Sequence, residues 1–207
     1  MNSRSFFRQY GVALRAMIVF TVVLGVAYTA LLTGVGQLVS PATAKGSVVK
    51  VDGRVVGSSL IGQSFTTPSG KARPEWFQSR PSAATGSGPA AGYDATASSA
   101  SNYGPENKDL IAAVKARRAA IAASDGVAPS AVPVDALTAS ASGLDPDISP
   151  AYALEQVARV AHTRGLSEGV VHRLVESMIG GRGAGYLGEK TVNVLELNVA
   201  LASLSKE

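Results

Sequence analysis

A glycine-rich segment followed by a basic and a hydroxyl residue, Gly183–Thr191, has the composition of a phosphate-binding loop. It resembles the G-x-x-x-x-G-K-[ST] pattern with one residue inserted. Such a loop binds phosphate through the N–H groups of the helix that follows it. Here Glu189 adds a negative charge inside the pattern, and a β-like segment follows in place of a helix. The segment therefore favours a turn over a phosphate site.

Two aspartates, Asp145 and Asp147, could bind a hard cation through their carboxylate oxygens. No third acidic residue is nearby, and Asp-Pro is common in turns, so a turn is the favoured interpretation. His162 and His172 lack the i,i+4 spacing of a helical zinc pair.

Ser47 and Lys50 form an S-x-x-K pair of the kind found in Ser/Lys hydrolases. They fall on a predicted strand, where positions i and i+3 point to opposite faces. A chance match is therefore favoured, and no Ser-His-Asp arrangement is recognisable.

Two predicted helices around Gly165 resemble a helix-turn-helix, whose second helix reads DNA through basic and amide side chains. His172 and Arg173 support such a role weakly, and Glu176 opposes it. The net charge of +4 is scattered, without a block of like charges. A plain helical hairpin is favoured, and no nucleic-acid partner is expected.

The feature that must position all of these groups is an uncharged apolar run, Ala16–Val39. A bilayer core of about 30 Å takes about 20 apolar residues as a helix. We predict a transmembrane helix at 16–39, preceded by a short basic tail at 1–15. Ala42-Thr43-Ala44 fits a signal-peptidase pattern, but a signal peptide has an apolar region of only about 7–15 residues. A retained anchor is therefore favoured over a cleaved signal.

The charges around this run predict its orientation. Three arginines and no acid precede it, whereas Asp52 partly offsets the basic residues beyond it. The positive-inside rule then places the N-terminus in the cytoplasm and residues 46–207 outside it. The chain has no cysteine, so packing must hold that domain together without disulfides.

The polar part of the chain is predicted to form one domain that contains both helices and strands. Asp52-Gly53 between two β-branched runs predicts a hairpin. Helices are expected near 107–124, 150–164 and 168–179, and the segment 190–204 begins β-like and turns helical. The long segment 66–104 has a linker's composition, but it contains four aromatic residues and is read as an ordered loop anchored by them: Trp76, Phe77, Tyr93 and Tyr103. The predicted fold class is α+β: a single N-terminal transmembrane helix followed by one extracytoplasmic mixed α/β domain.

Ordered blocks of short motifs extend over nearly the whole polar region. They are Gly57-Ser58 with Leu60-Ile61-Gly62-Gln63 and Phe65; Phe77 with Ser79-Arg80-Pro81-Ser82-Ala83; Ser101-Asn102 with Gly104-Pro105 and Asn107; Thr138-Ala139-Ser140 with Ser142-Gly143-Leu144-Asp145-Pro146 and Ile148-Ser149-Pro150; Gln156 with Arg159-Val160-Ala161; and Gly188-Glu189 with Val192-Asn193-Val194-Leu195 and Leu197-Asn198. Behind a single N-terminal span, these blocks resemble the C subunit of Kdp-type potassium-transporting P-type ATPases. The sequence departs from the family's usual residues at Ala100, Ala141 and Asp147.

The resemblance implies a non-catalytic accessory subunit of an ATP-driven, high-affinity potassium uptake pump. Its implied partners are a channel-like subunit that selects potassium and a P-type subunit that hydrolyses ATP. It implies a catalytic chaperone that stabilises the complex and raises the ATP affinity of the hydrolysing subunit. The chain has no D-K-T-G phosphorylation motif of its own. The alternative is a membrane-anchored extracytoplasmic binding or enzyme module unrelated to the pump.

The resemblance also implies a nucleotide contact at Gln156, with Arg159 as its neighbour three positions along one helix face. An amide and a guanidinium could meet a base edge and a phosphate of ATP. The alternative places both on a solvated face opposite Leu154 and Val157. The predicted topology keeps cytoplasmic ATP away from this domain, so an effect on ATP affinity is expected to pass through the partner subunit.

Overall fold

The computed structural model describes residues 3–86 and 92–204, and it divides the chain into two compact units, Met1–Val48 and Val49–Glu207. The first unit is helical: α1 is Ser3–Phe20, a π-helical stretch covers Thr21–Tyr28, α2 is Thr29–Val39, and the short α3 is Pro41–Ala44.

The helix of the first unit contains one candidate membrane span, Phe7–Val39. Its 33 residues are long and apolar enough to cross a bilayer, and its apolar side chains are exposed. The helix starts well before Ala16, inside the stretch predicted as a basic tail, because no proline interrupts the residues in between.

A β-hairpin follows, as the Asp-Gly pair predicts. Strand β1 is Val48–Val51 and strand β2 is Arg54–Ser58. Asp52 and Gly53 have φ angles of +49° and +76°. Positive φ at both central residues is what a tight type I′ turn requires.

The second unit contains five further α-helices and one short two-stranded sheet within the described residues. The helices are α4 Lys108–Asp125, α5 Pro150–Glu155, α6 Val157–Arg164, α7 Glu168–Ser177 and α8 Val194–Leu204; a 3₁₀ turn covers Val134–Ala136, and the strands are β3 Asp147–Ile148 and β4 Val192–Asn193. Strands β3 and β4 pair antiparallel, with Ile148 opposite Val192.

The predicted helix near 150–164 is observed as two helices, α5 and α6, that meet at Gln156. The side-chain amide of Gln156 donates to the carbonyl of Tyr152, one turn earlier, at 3.3 Å. At the break, the backbone N–H of Gln156 bonds to the carbonyl of Leu154, and the side-chain amide takes the Tyr152 carbonyl that a continuous helix would use.

The helix ends follow their local sequence signals. Asn107 caps α4 by accepting from the N–H groups of Asp109 and Leu110. Ser149 caps α5 through the N–H of Tyr152, and Pro150 takes the first helical position. Gly165, with φ of +67°, ends α6, and the chain then enters α7. Helices α6 and α7 pack against each other as a helical hairpin.

The core of the second unit lies between α4, α5, α6, α7 and α8. Its buried apolar residues are Phe77, Ala122, Val132, Ala136, Leu137, Ile148, Tyr152, Ala153, Val157, Val160, Ala161, Val171, Val175, Val192, Val194, Leu197 and Leu201. Helices with two short strand pairs after one N-terminal apolar helix confirm the predicted α+β class.

The aromatic residues of the 66–104 segment behave differently from one another. Phe77 is completely buried in the core, and Tyr93 is half-buried. Tyr103 is 46% exposed, so its predicted role as an anchor is wrong. The stretch 87–91 of this segment lies outside the described residues.

Candidate functional site

Gln156 and Arg159 lie inside the second unit, with 0% and 8% of their surfaces exposed. The alternative that placed both on a solvated face is therefore wrong. The guanidinium Nη2 of Arg159 donates to Oε1 of Gln156 at 2.7 Å. Their shared helix face is covered by an irregular segment, Pro74–Gln78, which the helical pattern of α5 and α6 does not reveal.

Every backbone carbonyl of Pro74–Gln78 accepts a hydrogen bond from a side chain. Pro74 and Trp76 accept from Nη1 of Arg159 at 2.6 and 3.1 Å, Glu75 from Nε of Arg164 at 2.6 Å, Phe77 from Nδ2 of Asn198 at 3.0 Å, and Gln78 from Nε2 of Gln156 at 3.2 Å. We call these four side chains, Gln156, Arg159, Arg164 and Asn198, the polar clamp.

Two members of the polar clamp bond both backbone groups of a single residue. Oδ1 of Asn198 accepts from the N–H of Phe77 at 3.0 Å, and Oε1 of Gln156 accepts from the N–H of Gln78 at 2.6 Å. Each side-chain amide thus bonds the N–H and the C=O of one residue, as a neighbouring β-strand would. Buried backbone groups need such partners. The clamp therefore explains how a segment with a linker's composition is ordered and buries Phe77.

The charge of Arg159 is balanced by Asp125, the last residue of α4. Nε of Arg159 lies 2.6 Å from Oδ1 of Asp125, and the two side chains are 6% and 4% exposed. Removing two charges from water is costly, so a buried pair needs further hydrogen bonds. Arg159 makes them to Gln156 and to the clamped segment. This pair ties α4 and α6 to the same loop.

A carboxyl group lies next to this ion pair. Burial, followed by the negative charge of Asp125, raises the pKa of Glu155 to about 7, although Arg159 opposes the shift. Both carboxyl oxygens of Glu155 are buried and have no hydrogen-bond partner within the described residues. A protonated Glu155 can donate to Asp125, and an ionised one cannot.

The aromatic ring of Trp76 lies close to two guanidinium groups. The guanidinium of Arg164 lies 4.2 Å from the ring centroid, and that of Arg73 lies 5.8 Å away. Both distances are within the range of cation–π attraction. Arg164 therefore holds the segment through a carbonyl and through the neighbouring ring.

The glycine-rich segment Gly183–Thr191 forms an exposed turn, in which the N–H of Gly183 donates to the carbonyl of Leu187 at 2.8 Å. Strand β4 follows it, so no helix begins directly after Thr191. The geometry agrees with the turn that the sequence favours.

The other candidate metal ligands also lie apart from one another or form hydrogen bonds and ion pairs within the domain. Asp145 forms an ion pair with Arg80 at 2.7 Å, and Asp147 accepts from Thr191 and Asn193. His162 is exposed, whereas His172 contacts Glu176 on its own helix. Within residues 3–86 and 92–204, no three His, Asp or Glu side chains are placed to hold a metal ion.

Several residues of this site were not predicted. Asn198 belongs to one of the ordered motifs, and a polar residue within the apolar run of α8 is itself a signal for a buried hydrogen bond. Asp125 lies next to the expected end of the helix near 107–124, and no local signal in the sequence connects it to Arg159.

The nucleotide contact predicted for Gln156 and Arg159 remains a prediction. Both ends of the Gln156 amide are bonded inside the second unit, and Arg159 is bonded through all three of its nitrogens. In this arrangement the two residues build the domain around the 74–78 segment.

Comparison with known proteins identifies relatives over nearly the full chain. The family model for K+-transporting ATPase, c chain, matches residues 10–203. The potassium-transporting ATPase KdpC subunit of Kineococcus radiotolerans is 56% identical over 196 residues, covering 95% of this chain and 94% of that protein. The corresponding subunit of Methylococcus capsulatus is 50% identical over 192 residues, covering 93% and 96%. That of Streptomyces avermitilis is 46% identical over 203 residues, covering 92% and 91%.

These matches confirm the resemblance drawn from the ordered motifs and favour it over an unrelated anchored module. They extend through the candidate span, the hairpin and all four residues of the polar clamp. The chain belongs to the family of K+-transporting ATPase c chains.

Proposed function

We propose that this chain is a non-catalytic accessory subunit of an ATP-driven potassium uptake pump. The observation that carries the proposal is the match of residues 10–203 to the c-chain family. The partners are a channel-like subunit that selects potassium and a P-type subunit that hydrolyses ATP. The candidate span Phe7–Val39 anchors the chain in the same membrane as these partners.

The chain acts as a catalytic chaperone that raises the ATP affinity of the hydrolysing subunit. The effect passes through contacts between subunits, without a nucleotide held by Gln156 or Arg159. The polar clamp supports this indirect route, because the hydrogen-bonding groups that would contact ATP are already bonded to Asp125 and the 74–78 segment. Opening the clamp to admit a nucleotide would leave buried backbone groups without partners.

The experiment that tests this function compares ATP hydrolysis by the assembled pump with and without this chain. We expect the KM for ATP to rise at least about threefold without the chain, with a smaller change in kcat. A photoreactive ATP analogue should label the hydrolysing subunit and leave this chain unlabelled. An unchanged KM would contradict the chaperone role, and labelling of this chain at the clamp would contradict the indirect route.

The orientation is proposed with the N-terminus in the cytoplasm and the second unit outside, in a bacterial inner membrane. Since the chain has no cysteine, single cysteines report sidedness without background. A cysteine replacing Ala119, an exposed residue of α4, should react with a membrane-impermeant thiol reagent added to intact cells. A cysteine replacing Ser3 should react only after the membrane is opened. The reverse pattern would overturn the orientation.

A further inference from the structure

A cavity of about 240 Å³ lies in the second unit, apart from the polar clamp's buried ion pair. One wall is the 78–82 segment with Tyr93, and another is α4 with Arg117 and Ile121. The remaining lining comes from the 64–66 segment, Ala136 and Tyr152. The cavity is open on one side, so a small molecule can enter it.

The charged residues that line this cavity are both cations. Arg80 is paired through Nη1 with Asp145 at 2.7 Å, and its Nη2 lies 3.4 Å from the carbonyl of Thr138. Arg117 donates through Nη1 to the carbonyl of Leu137 at 2.9 Å, and it forms no ion pair with any carboxylate in the described part of the chain. No aspartate or glutamate contributes to the lining. The wall of the cavity therefore carries an uncompensated positive charge.

The hydroxyl groups of the lining are already used inside the fold. The hydroxyl of Tyr93 donates to the carbonyl of Arg80 at 2.9 Å, and that of Ser82 donates to the carbonyl of Gly143 at 2.6 Å. Burial raises the pKa of Tyr93 to about 12, so this group stays neutral and does not offset the arginines. Since Asp145 balances the charge of Arg80, the guanidinium of Arg117 decides which charge the cavity prefers.

We propose that this cavity binds a small oxyanion, a carboxylate or phosphate group, between Arg80 and Arg117. The guanidinium is a planar fork of N–H donors that matches the oxygens of either group. Arg117 contributes an uncompensated charge from α4, and Arg80, which is paired with Asp145, lines the same cavity from the 78–82 segment. A cation would meet the uncompensated charge of Arg117, and a neutral ligand would leave that charge uncompensated.

The test is calorimetric titration of the full-length chain in detergent with inorganic phosphate and, separately, with succinate, at constant ionic strength set with sodium chloride. Phosphate presents a tetrahedral oxyanion and succinate a planar one, so their relative affinities identify the group that fits. We expect saturable binding of at least one of them. Replacing Arg117 with glutamine should weaken it about tenfold or more, as loss of a charge-assisted bond does.

The matched control is the neighbouring Arg118, which is exposed on the same helix and does not line the cavity. Arg118→Gln removes the same charge and should change the affinity less than about twofold. Arg117→Lys keeps the positive charge but lacks the planar set of guanidinium N–H donors, so it should give an anion affinity between those of the wild type and Arg117→Gln. Equal weakening by Arg117→Gln and Arg118→Gln would overturn the proposal, because it would show general attraction to a basic surface. Absence of binding of either anion up to about 50 mM would overturn it as well.

Discussion

Replacing Arg159 with methionine is expected to lower the free energy of unfolding by about 3–5 kcal/mol, the usual loss when one partner of a buried ion pair is removed. Methionine keeps an unbranched side chain in the same space. It leaves Asp125, 4% exposed, as an isolated buried charge. It also removes the donors that hold the carbonyls of Pro74 and Trp76 and the amide of Gln156.

The measurement is denaturant unfolding of the full-length chain, followed by the fluorescence of its single tryptophan, Trp76. This residue belongs to the clamped segment, so its signal reports the local structure directly. The matched control is Arg173→Met on the exposed side of α7, which should change the unfolding free energy by less than about 0.5 kcal/mol.

A double variant separates the ion pair from the rest of the clamp. Asp125→Asn in the Arg159→Met background removes the isolated charge and should recover part of the loss, while the lost carbonyl bonds remain. A loss below about 1 kcal/mol for Arg159→Met, or an Asp125→Asn change that simply adds a further loss, would contradict the assigned coupling.

The second large effect is a dependence of stability on pH that comes from Glu155. Its pKa is about 7 in the folded domain, against an ordinary value of 4.5. Between these values the folded state holds a proton that the unfolded state has released. The free energy of unfolding therefore falls as pH rises from about 4.5 to about 7, and this loss then stays constant at higher pH.

The groups that face Glu155 explain the direction. Burial disfavours its charge most, and Asp125 and Asp135 add repulsion. Arg159 attracts it but is already bonded to Asp125. Tyr152, whose pKa burial also raises, stays neutral and supplies no charge.

Glu155→Gln should therefore stabilise the domain near pH 8 by about 1–2 kcal/mol, a figure reduced for the solvent that reaches this half-buried group. Near pH 3 the variant and the wild type should be about equally stable, because Glu155 is then protonated in both the folded and unfolded states. Glu106→Gln, at an exposed loop position, is the control and should show the same pH profile as the wild type. A constant difference between Glu155→Gln and the wild type from pH 4.5 to pH 8 would exclude Glu155 as the titrating group.

The parts of this protein that the sequence predicts are those with local causes. An uncharged run such as Ala16–Val39 has to form a helix in a bilayer, because each backbone group then bonds within its own segment. Asp52-Gly53 specifies its turn through the positive φ that both residues tolerate. Ser149-Pro150 begins α5, and Gly165 ends α6, by the same local rules. The family, too, is readable from motifs in order along the chain.

The role of Gln156 and Arg159 depends on residues far away in sequence. Their helical spacing predicts a shared face but gives no indication of what covers it. The covering segment, Pro74–Gln78, lies about 80 positions earlier, and its composition alone resembles a linker. Asp125 and Asn198 reach the same place from two other helices.

The sequence by itself determined an apolar helix through Ala16–Val39, the Asp52-Gly53 turn, the helix caps at Asn107, Ser149 and Gly165, and the family. Only the tertiary structure decided that the polar residues of α6 face inward, that Phe77 belongs to the core, and that Arg80 and Arg117 share one cavity. The physical reason is that a helix end or a tight turn is set by neighbours along the chain. A buried polar group is set by whichever distant donors and acceptors the packing brings within about 3 Å.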